Sequence, residues 1–447
     1  MINTKTSFKS WLALTGLCLA SFLGCIDFTI MNTALPAIQS NLGATIVQLQ
    51  WIINIFLLAL VAFMVIAGRM ADIYGRRLVL YIGLAIFAIS SLGAGLSPNV
   101  SILILWRFIQ GIGVAILYIL TMAIIPSIFA IEKRAKVMGI LVGFNGLGLA
   151  IGPVLGGLIL SLTSWHWIFL INIPLIILSF LCCVKTVPES KSEIEEKIDW
   201  LGGLLLIIAL PSLVFFTVEI SVWGLVSVLI LIGFYYVEKR TDFPIIDFNL
   251  FKNSAFMAAV VANFSLAFFY TTAFFLMPLY LHNIMGFDDF KMGMMILPAS
   301  AMVIVLSPFV SICVHKYGPK PVLLIGFALL ILSALAQSCL TADSSTSFIL
   351  LAYLAFGIGM AFILSPSLVA AMMSVHEKVA GSAMGTVGTL HNFGGALGLA
   401  IGTAIYHSAT TNLQGQRMAM YLLLTSALVA FGIIFLRLKT NKGDIHG

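Results

Sequence analysis

Two charged residues lie inside long apolar stretches of this sequence and are the first candidates for chemistry. Asp27 sits well within the apolar stretch from Trp11 to Pro36, and Arg107 lies in a second stretch further along the chain. An ionised Asp at the centre of a bilayer is unfavourable by about 2.5–3.5 kcal/mol on insertion scales. A chain that keeps such charges uses them for proton transfer, ion coupling or recognition of a charged substrate.

The composition indicates that the elements around these charges lie in a membrane. Of the 447 residues, 61% are hydrophobic and 9% are charged, and the mean hydropathy is +1.12. A soluble chain has about 25% charged residues. The apolar runs are long and do not alternate, so they predict helices, which satisfy their own backbone polar groups in lipid. The six cysteines have no metal-like spacing, and we expect no metal site.

The apolar runs predict fourteen membrane-spanning helices in an all-α polytopic membrane protein. The weakest division separates the seventh and eighth helices at Glu219, Ser221 and Trp223; as one broken helix they would reduce the count to thirteen. The predicted spans are residues 12–35, 46–67, 78–97, 101–125, 138–162, 166–186, 201–219, 222–238, 255–281, 292–314, 321–340, 347–373, 381–406 and 418–437.

The distribution of basic residues decides between the two counts. With fourteen helices and both termini in the cytoplasm, 20 of the 23 Lys and Arg residues lie on the cytoplasmic side, whereas Lys291 and Arg417 lie outside. This is a strong positive-inside asymmetry, and thirteen helices would destroy it in the second half. The net charge of +6 therefore reflects topology and contact with anionic lipid heads, and not nucleic-acid binding.

Internal repeats divide the chain into two halves around a centre. The loop Gly68–Arg77 has a counterpart in Ser311–Lys320, and a glycine-rich fifth helix is matched by a glycine-rich thirteenth. We predict a six-helix bundle over 1–186, a cytoplasmic linker with a central helix pair over 187–252, and a second six-helix bundle over 253–447. Such repeats are typical of secondary transporters, whose substrate site lies near the membrane midplane between the repeats.

Five blocks of sequence carry a family resemblance. They are Asp27–Pro36, Gly68–Arg77, Arg107–Gly113, Gly148–Gly157 and Trp165–Pro174. With these blocks in order, the chain resembles the major facilitator superfamily, specifically its fourteen-helix drug/proton antiporters, over nearly its whole length. The resemblance implies a protein of the bacterial cytoplasmic (inner) membrane that uses a proton gradient and no cofactor.

The loop between the second and third helices is a candidate conformational latch. Its residues are Gly68, Asp72, Gly75, Arg76 and Arg77, and the resemblance implies that they hold the outward-open state by charges and helix caps. The alternative is a topology determinant with surface salt bridges. In the second copy a His replaces the acid and a Pro replaces one Arg, so we expect a weaker latch there.

The fifth helix carries a glycine–proline block. Small residues about four apart let helix backbones pack closely, and an interior proline kinks a helix. The resemblance makes the block an antiporter signature, a bendable contact between the two halves; ordinary helix packing is the alternative. The residues of this antiporter kink are Gly148, Gly152, Pro153, Gly156 and Gly157.

Asp27 and Arg107 are predicted to lie at matching depths. The first helix runs outward and the fourth inward, and at 1.5 Å per residue both side chains lie roughly 10–14 Å from the outer boundary. We expect a direct or water-bridged interaction in at least one conformation; the alternative is that Arg107 snorkels to the outer face. Because a neighbouring guanidinium lowers the proton affinity of a carboxylate and desolvation raises it, separating the two would favour proton uptake.

Six further polar and aromatic residues are candidates for a substrate cavity. Aromatic and Met surfaces bind lipophilic molecules adaptably and attract cations. The alternatives are helix–helix hydrogen bonds for the polar residues, and packing or lipid contact for the aromatic ones. His391 is also a possible second titrating group. The candidates are Asn32, Gln110, Asn145, Phe268, Tyr270 and His391.

The residues and the resemblance together predict a proton-coupled exporter of lipophilic small molecules that works by alternating access, with Asp27 as proton carrier. Its expected partners are a small lipophilic substrate, protons and the lipid bilayer; a periplasmic adaptor or outer-membrane channel is left open. A dedicated exporter of one metabolite, sugar or siderophore is the main alternative, and a non-transporting sensor a remote one. We expect no enzyme, because no nucleophile, nucleotide or metal motif appears.

Overall fold

A computed structural model describes residues 8–190, 223–241, 248–375 and 380–438, together with Gly202, Leu205, Ile208 and Ser212. The described chain is almost entirely helical, which confirms the predicted all-α fold. A short 3₁₀ helix, Phe248–Lys252, precedes α9. The α-helices are α1 (Phe8–Leu42), α2 (Ile46–Tyr74), α3 (Arg76–Gly95), α4 (Val100–Ile128), α5 (Ile131–Leu162), α6 (His166–Leu170), α7 (Asn172–Cys183), α8 (Trp223–Glu238), α9 (Ser254–Asn283), α10 (Asp289–Tyr317), α11 (Pro319–Ser338), α12 (Thr346–Met373), α13 (Ala380–Ser408) and α14 (Asn412–Arg437).

Eleven of the described spans are long and apolar enough to cross a membrane. The predicted helix over 201–219 lies mostly outside the described residues. Several helices extend beyond their predicted limits: α1 covers Phe8–Leu42 where 12–35 was predicted, and α5 begins at Ile131 instead of 138. Polar residues end an apolar run, but they do not end a helix, because their side chains reach water while the backbone ladder continues.

The sixth predicted span, 166–186, is present as one apolar stretch long enough to cross a membrane, His166–Cys183. Its helix is interrupted at Ile171, which divides it into α6 and α7, and α7 ends at Cys183. Pro174 lies at the third position of α7, where its missing N–H would have no partner in the preceding turn. The start of a new helix at this proline positions Asn172 for the site described below.

Two compact units make up the chain, Met1–Ile207 and Ile208–Gly447. In the first unit α1 packs on α5, α2 on α4, and α3 on α4. In the second unit α9 packs on α13, α10 on α12, and α11 on α12. The same order of contacts recurs eight helices further along the chain, as the sequence repeats predict. The separate central segment over 187–252 stays a prediction.

Equivalent turns in the two units show the repeat at the level of the backbone. Gly75 joins α2 to α3 with φ of 108°, and Gly318 joins α10 to α11 with φ of 79°. Residues that carry a side chain rarely adopt positive φ, so glycine is favoured at both turns. The predicted alignment of these two loops is therefore reproduced by the conformation of each.

Candidate functional site

Asp27 and Arg107 are in direct contact in the core of the first unit. Arg107 Nη1 on α4 donates to Asp27 Oδ2 on α1, and both side chains are 1% exposed. Removing either partner of such a buried pair leaves an uncompensated charge, which is unfavourable by about 3–5 kcal/mol. The expected interaction between the two residues is thus present in this structure.

Gln110 completes a closed triangle with this ion pair. Its Oε1 accepts from Arg107 Nη1 at 2.7 Å, and its Nε2 donates to Asp27 Oδ1 at 3.0 Å. The second hydrogen of Nε2 reaches Ser91 Oγ on α3 at 3.0 Å. The opposite amide orientation would place Oε1 against the carboxylate, so the contacts fix the orientation of Gln110. This residue was predicted as a cavity residue, and the structure joins it to the charge pair.

Backbone and ring contacts hold the guanidinium of Arg107 in place. Nε donates to the Ile52 carbonyl oxygen on α2 at 3.1 Å. The ring of Phe56, one turn further along α2, lies 4.1 Å from Cζ, and that of Phe169 on α6 lies 6.0 Å away. Cation–π contact of this kind is favourable by about 2 kcal/mol when it is desolvated. Arg107 is therefore anchored by α2 and α6 as well as by Asp27.

Two members of the network were not predicted. Asn172 Nδ2 at the start of α7 donates to Asp27 Oδ1 at 3.3 Å, and Ser91 accepts from Gln110. Both side chains are buried. Asn172 lies within the Trp165–Pro174 block, which was a usable signal, whereas a single serine in an apolar helix gives none. The carboxylate thus receives hydrogen bonds from α4 and α7 together.

The other polar candidates of the first unit stay outside this network. Asn32 donates to the Phe28 carbonyl oxygen of its own helix at 2.7 Å. Asn145 is buried, and its Oδ1 has no hydrogen-bond partner among the described residues. A role of either residue in a substrate cavity stays a prediction.

The aromatic candidates lie in the second unit. Tyr270 on α9 and His391 on α13 meet through Oη and Nε2 at 3.4 Å, with ring centroids 5.7 Å apart. Phe268 is buried and lies 6.5 Å from Phe264 in a stacked arrangement. Tyr270 also contacts Phe274 edge to face at 6.4 Å. The structure therefore joins Tyr270 to His391, as part of an aromatic cluster.

The glycines of α5 bring its backbone against α1, the helix of Asp27. A Cβ at Gly148 would lie 3.1 Å from Cys25 Cβ, and one at Gly152 would overlap Thr29 Oγ1. A Cβ at Gly156 would lie 3.1 Å from Thr33 Cβ. Thr29 Oγ1 also donates to the Gly148 carbonyl oxygen at 3.4 Å.

This glycine contact lies within the first unit. Pro153 and Gly157 are buried on the same helix. The alternative of close helix packing therefore applies to Gly148, Gly152 and Gly156, whereas the predicted contact between the halves stays a prediction.

Glu189 is the acidic partner that the structure gives to the loop between α2 and α3. Arg77 N donates to Glu189 Oε1 at 3.0 Å, and Arg77 Nε lies 3.5 Å from Oε2. Arg76 N donates to the Ser190 carbonyl oxygen at 2.9 Å, and its Nη1 donates to the Ala123 carbonyl oxygen of α4 at 3.0 Å. Glu189 and Ser190 belong to the segment predicted as a cytoplasmic linker, and the structure places them against this loop.

The structure describes fewer contacts for the other two candidate latch residues, Gly68 and Asp72. Gly68 lies in α2, where a Cβ would meet Ile119 at an ordinary 3.5 Å. Asp72 belongs to α2, and its side chain lies outside the described residues. The roles of these residues in a latch stay predictions.

Comparisons with known proteins agree with this architecture. A model of the Major Facilitator Superfamily matches residues 17–399. Multidrug resistance protein Stp of Mycobacterium tuberculosis (strain CDC 1551 / Oshkosh) is 30% identical over 394 residues, covering 86% of this chain and 73% of Stp. The tetracenomycin C resistance and export protein of Streptomyces glaucescens is 28% identical, over 88% of this chain and 75% of the relative.

A third relative is named for a different substrate, and a solved structure shares the fold. Riboflavin transporter RibZ of Clostridioides difficile (strain 630) is 26% identical, covering 90% of each chain. The crystal structure of D-xylose-proton symporter superposes with a TM-score of 0.72 at 13% identity, covering 98% of this chain and 99% of that one. At this identity the likeness shows the fold alone.

Proposed function

This chain belongs to the major facilitator superfamily, and from that premise we propose that it is a proton-coupled exporter of lipophilic small molecules. It is an integral membrane protein with the helical fold of a transporter, a class of proteins that are not enzymes. Two relatives are named for multidrug resistance or for resistance and export, which supports export over uptake.

One observation carries the proposal: the buried hydrogen-bonded network around Asp27. The carboxylate has Arg107 on one oxygen and both Gln110 and Asn172 on the other. An ionised carboxylate accepts all these donors, whereas a protonated one presents a hydrogen that can face none of them. Proton binding therefore removes hydrogen bonds between α1 and its neighbours.

The proposed cycle uses this incompatibility. A proton on Asp27 releases the guanidinium of Arg107, which then needs another acceptor or water. Because α1, α4 and α7 meet at the carboxylate, the loss of these bonds loosens the first unit in one step. Loss of the proton restores the network. Alternating access by the two halves would couple the restored and released states to opposite sides of the membrane.

The substrate is proposed to be lipophilic and neutral or monovalent. Within the predicted spans Asp27 is the acid placed deepest in the membrane, and export of a dication would call for further acids. Tyr270, Phe274 and His391 supply ring faces and one hydrogen-bonding edge, a combination that suits a planar aromatic molecule.

A dedicated carrier of one metabolite is the second candidate function. The riboflavin transporter among the relatives favours it, because that protein is named for one planar, polar substrate. The two candidates differ in breadth of specificity. An exporter of many drugs would respond to chemically unrelated lipophilic molecules, whereas a dedicated carrier would respond to one chemical series.

The experiment is substrate-induced proton release from the purified protein in proteoliposomes. Lipophilic cations, neutral aromatic drugs and polar metabolites are added in turn at fixed internal pH. Proton release with several unrelated lipophilic compounds is the expected result, and a response to one metabolite series alone would select the second candidate. If protein that is monodisperse and helical responds to no compound, the remaining hypothesis is a sensor that does not transport.

A further inference from the structure

The second unit contains a cavity of about 360 Å³ that the proposed transport cycle does not use. Its lining comes from the first residues of α9 and α11 and from the last residues of α10, α12 and α14. All these helix ends lie at the membrane face that the sequence predicts to be cytoplasmic. On that prediction, the cavity is a pocket between helix ends at the boundary between lipid and water.

The described residues that line this pocket include two cations and no acid. Arg437 at the end of α14 is exposed, and its guanidinium makes no hydrogen bond or ion pair with a described residue. Lys320 Nζ donates to the Phe435 carbonyl oxygen at 3.0 Å. Pro319 and Pro321 have no N–H, so Lys320 also supplies the one backbone donor of the first three residues of α11.

The negative helix ends around the pocket are covered by its neutral side chains. Asn253 Nδ2 donates to the Ser374 carbonyl oxygen at the end of α12, at 2.6 Å. Ser254 Oγ donates to the Arg437 carbonyl oxygen at 3.4 Å. These bonds reduce the negative potential of the α12 and α14 carboxyl ends, and they leave the two cations as the main charges of the pocket.

The equivalent place in the first unit already holds an anion. There the start of α3 binds Glu189, through Arg77 N at 3.0 Å and Arg77 Nε at 3.5 Å. The carboxylate fills the corner at Gly75, where an added Cβ would lie 2.5 Å from Glu189 Oε1. At the matching Gly318 an added Cβ would meet no atom within 4 Å. The repeat therefore has the same corner twice, occupied by a carboxylate in one unit and open in the other.

We propose that this pocket binds the phosphate group of an anionic membrane lipid. The inner leaflet of a bacterial membrane presents such groups at the level of the helix ends, and basic pockets between helices bind them. Lys320 and Arg437 supply the charge, and the Lys320 N–H supplies a directed donor at a helix N-terminus. Phe435 and Leu436 next to Arg437 are exposed apolar side chains, against which the acyl chain of the lipid lies.

The test compares two variants of equal size at the pocket wall. Ser254→Glu places a carboxylate in the pocket at the first position of α9, where an acid suits the helix, and Ser254→Gln is its neutral match. Lipid bound to the detergent-purified full chain is counted by native mass spectrometry with phosphatidylglycerol and with phosphatidylcholine.

The wild type and Ser254→Gln are expected to retain phosphatidylglycerol in preference to phosphatidylcholine. Ser254→Glu and the double variant Lys320→Gln/Arg437→Gln are expected to lose at least about tenfold in affinity, the effect of one charged hydrogen bond. Lys239→Gln/Arg240→Gln removes the same charge at an exposed site outside the pocket and is expected to retain the lipid. Equal lipid retention in Ser254→Glu and Ser254→Gln would overturn the proposal.

Two further arms separate the lipid from other anions. Inorganic phosphate at millimolar concentration is expected not to displace the lipid; full displacement would assign the pocket to a soluble anion and overturn the lipid assignment. Asp444→Asn removes the one acid that follows α14 in the sequence. An increase in lipid binding in this variant would show that the chain's own carboxylate competes for the pocket, again against the proposal. The experiment measures lipid binding and not transport. Its result can therefore be interpreted even if the transport proposal fails.

Discussion

Gln110 donates to Asp27 Oδ1 at 3.0 Å from the same helix that places Arg107 on Asp27 Oδ2. The two α4 residues are three apart and therefore lie on one face of the helix. They hold the carboxylate from both oxygens, as a clamp whose parts also bind each other at 2.7 Å. The ionised state of Asp27 is thus tied to the packing of α1 on α4, which gives a protonation event a structural consequence.

Asp27→Asn is expected to abolish proton-coupled efflux. The amide cannot take up a proton at physiological pH, so active efflux driven by a pH gradient should fall to background, while facilitated exchange of substrate continues. The measurement is gradient-driven transport in proteoliposomes. Asp343→Asn, which changes an exposed loop acid, is the matched control and should keep full activity.

The single variant leaves Arg107 buried without its counterion, and it could lose activity by misfolding. Asp27→Asn/Arg107→Gln removes both charges, so that neither is left buried without its counterion. This double variant is expected to be monodisperse and still uncoupled. Full retention of gradient-driven efflux in either variant would exclude Asp27 as the proton carrier.

Arg107→Lys should reduce the transport rate although it keeps the charge. A lysine ammonium is a point charge and cannot bind Asp27, Gln110 and the Ile52 carbonyl oxygen in the flat geometry of the guanidinium. Loss of one charged hydrogen bond corresponds to about 1.5–3 kcal/mol, or about a 10- to 150-fold fall in rate. Arg240→Lys at an exposed position is the control, and equal rates for both variants would contradict this role for Arg107.

The sequence predicted part of this site, and the reasons for the rest are physical. Counting residues along two helices is enough to match the depths of Asp27 and Arg107, because helix rise is constant. Rotation about the helix axis and the approach of a third helix are not fixed by such a count. Asn172 is 145 positions from Asp27, so its contact depends on the break at Ile171 that divides α6 from α7.

The helices were predictable and their ends were not. Apolar runs give the part of a helix that lies in lipid, whereas α1 and α5 continue for several residues through polar sequence. Glu189 illustrates the same difficulty, because a charged residue after a span is usually solvated. Only the fold brings it to Arg77, 112 positions earlier.

Gly152→Ala should destabilise the protein more than the same change elsewhere on α5. A Cβ at this position overlaps Thr29 Oγ1 and lies 3.0 Å from Ile30 N, so α1 and α5 must separate. Overpacking of this kind is unfavourable by about 1–3 kcal/mol. Thermal unfolding in detergent is the measurement. Gly143→Ala, where an added Cβ meets nothing within 4 Å, is the control and should unfold at the wild-type temperature or above.

Gly75→Ala and Gly318→Ala should separate backbone strain from the contact with Glu189. Both positions combine positive φ with an extended ψ, a backbone conformation that essentially only glycine adopts, so both substitutions carry backbone strain of about 1–3 kcal/mol. At Gly75 the new Cβ also meets the Glu189 carboxylate, and this variant should unfold at a lower temperature than Gly318→Ala. The additional loss should disappear in Gly75→Ala/Glu189→Ala. If the two single variants unfold at the same temperature, the contact between Glu189 and this loop does not contribute to stability.

Tyr270→Phe should change substrate affinity and leave proton coupling unchanged. The substitution keeps the ring that lies 5.7 Å from His391 and removes the hydroxyl that meets Nε2 at 3.4 Å. For a substrate that forms a hydrogen bond at this edge, the apparent KM should rise about fivefold, the effect of about 1 kcal/mol. A cation without a hydrogen-bonding group should be transported as before. The number of protons exchanged per substrate should stay constant, because Asp27 and its network belong to the first unit. Tyr421→Phe, at a half-exposed position of α14, provides the control for loss of a hydroxyl. A change in proton stoichiometry in Tyr270→Phe would instead place the Tyr270–His391 pair in the coupling machinery, and Asp27 would no longer act alone.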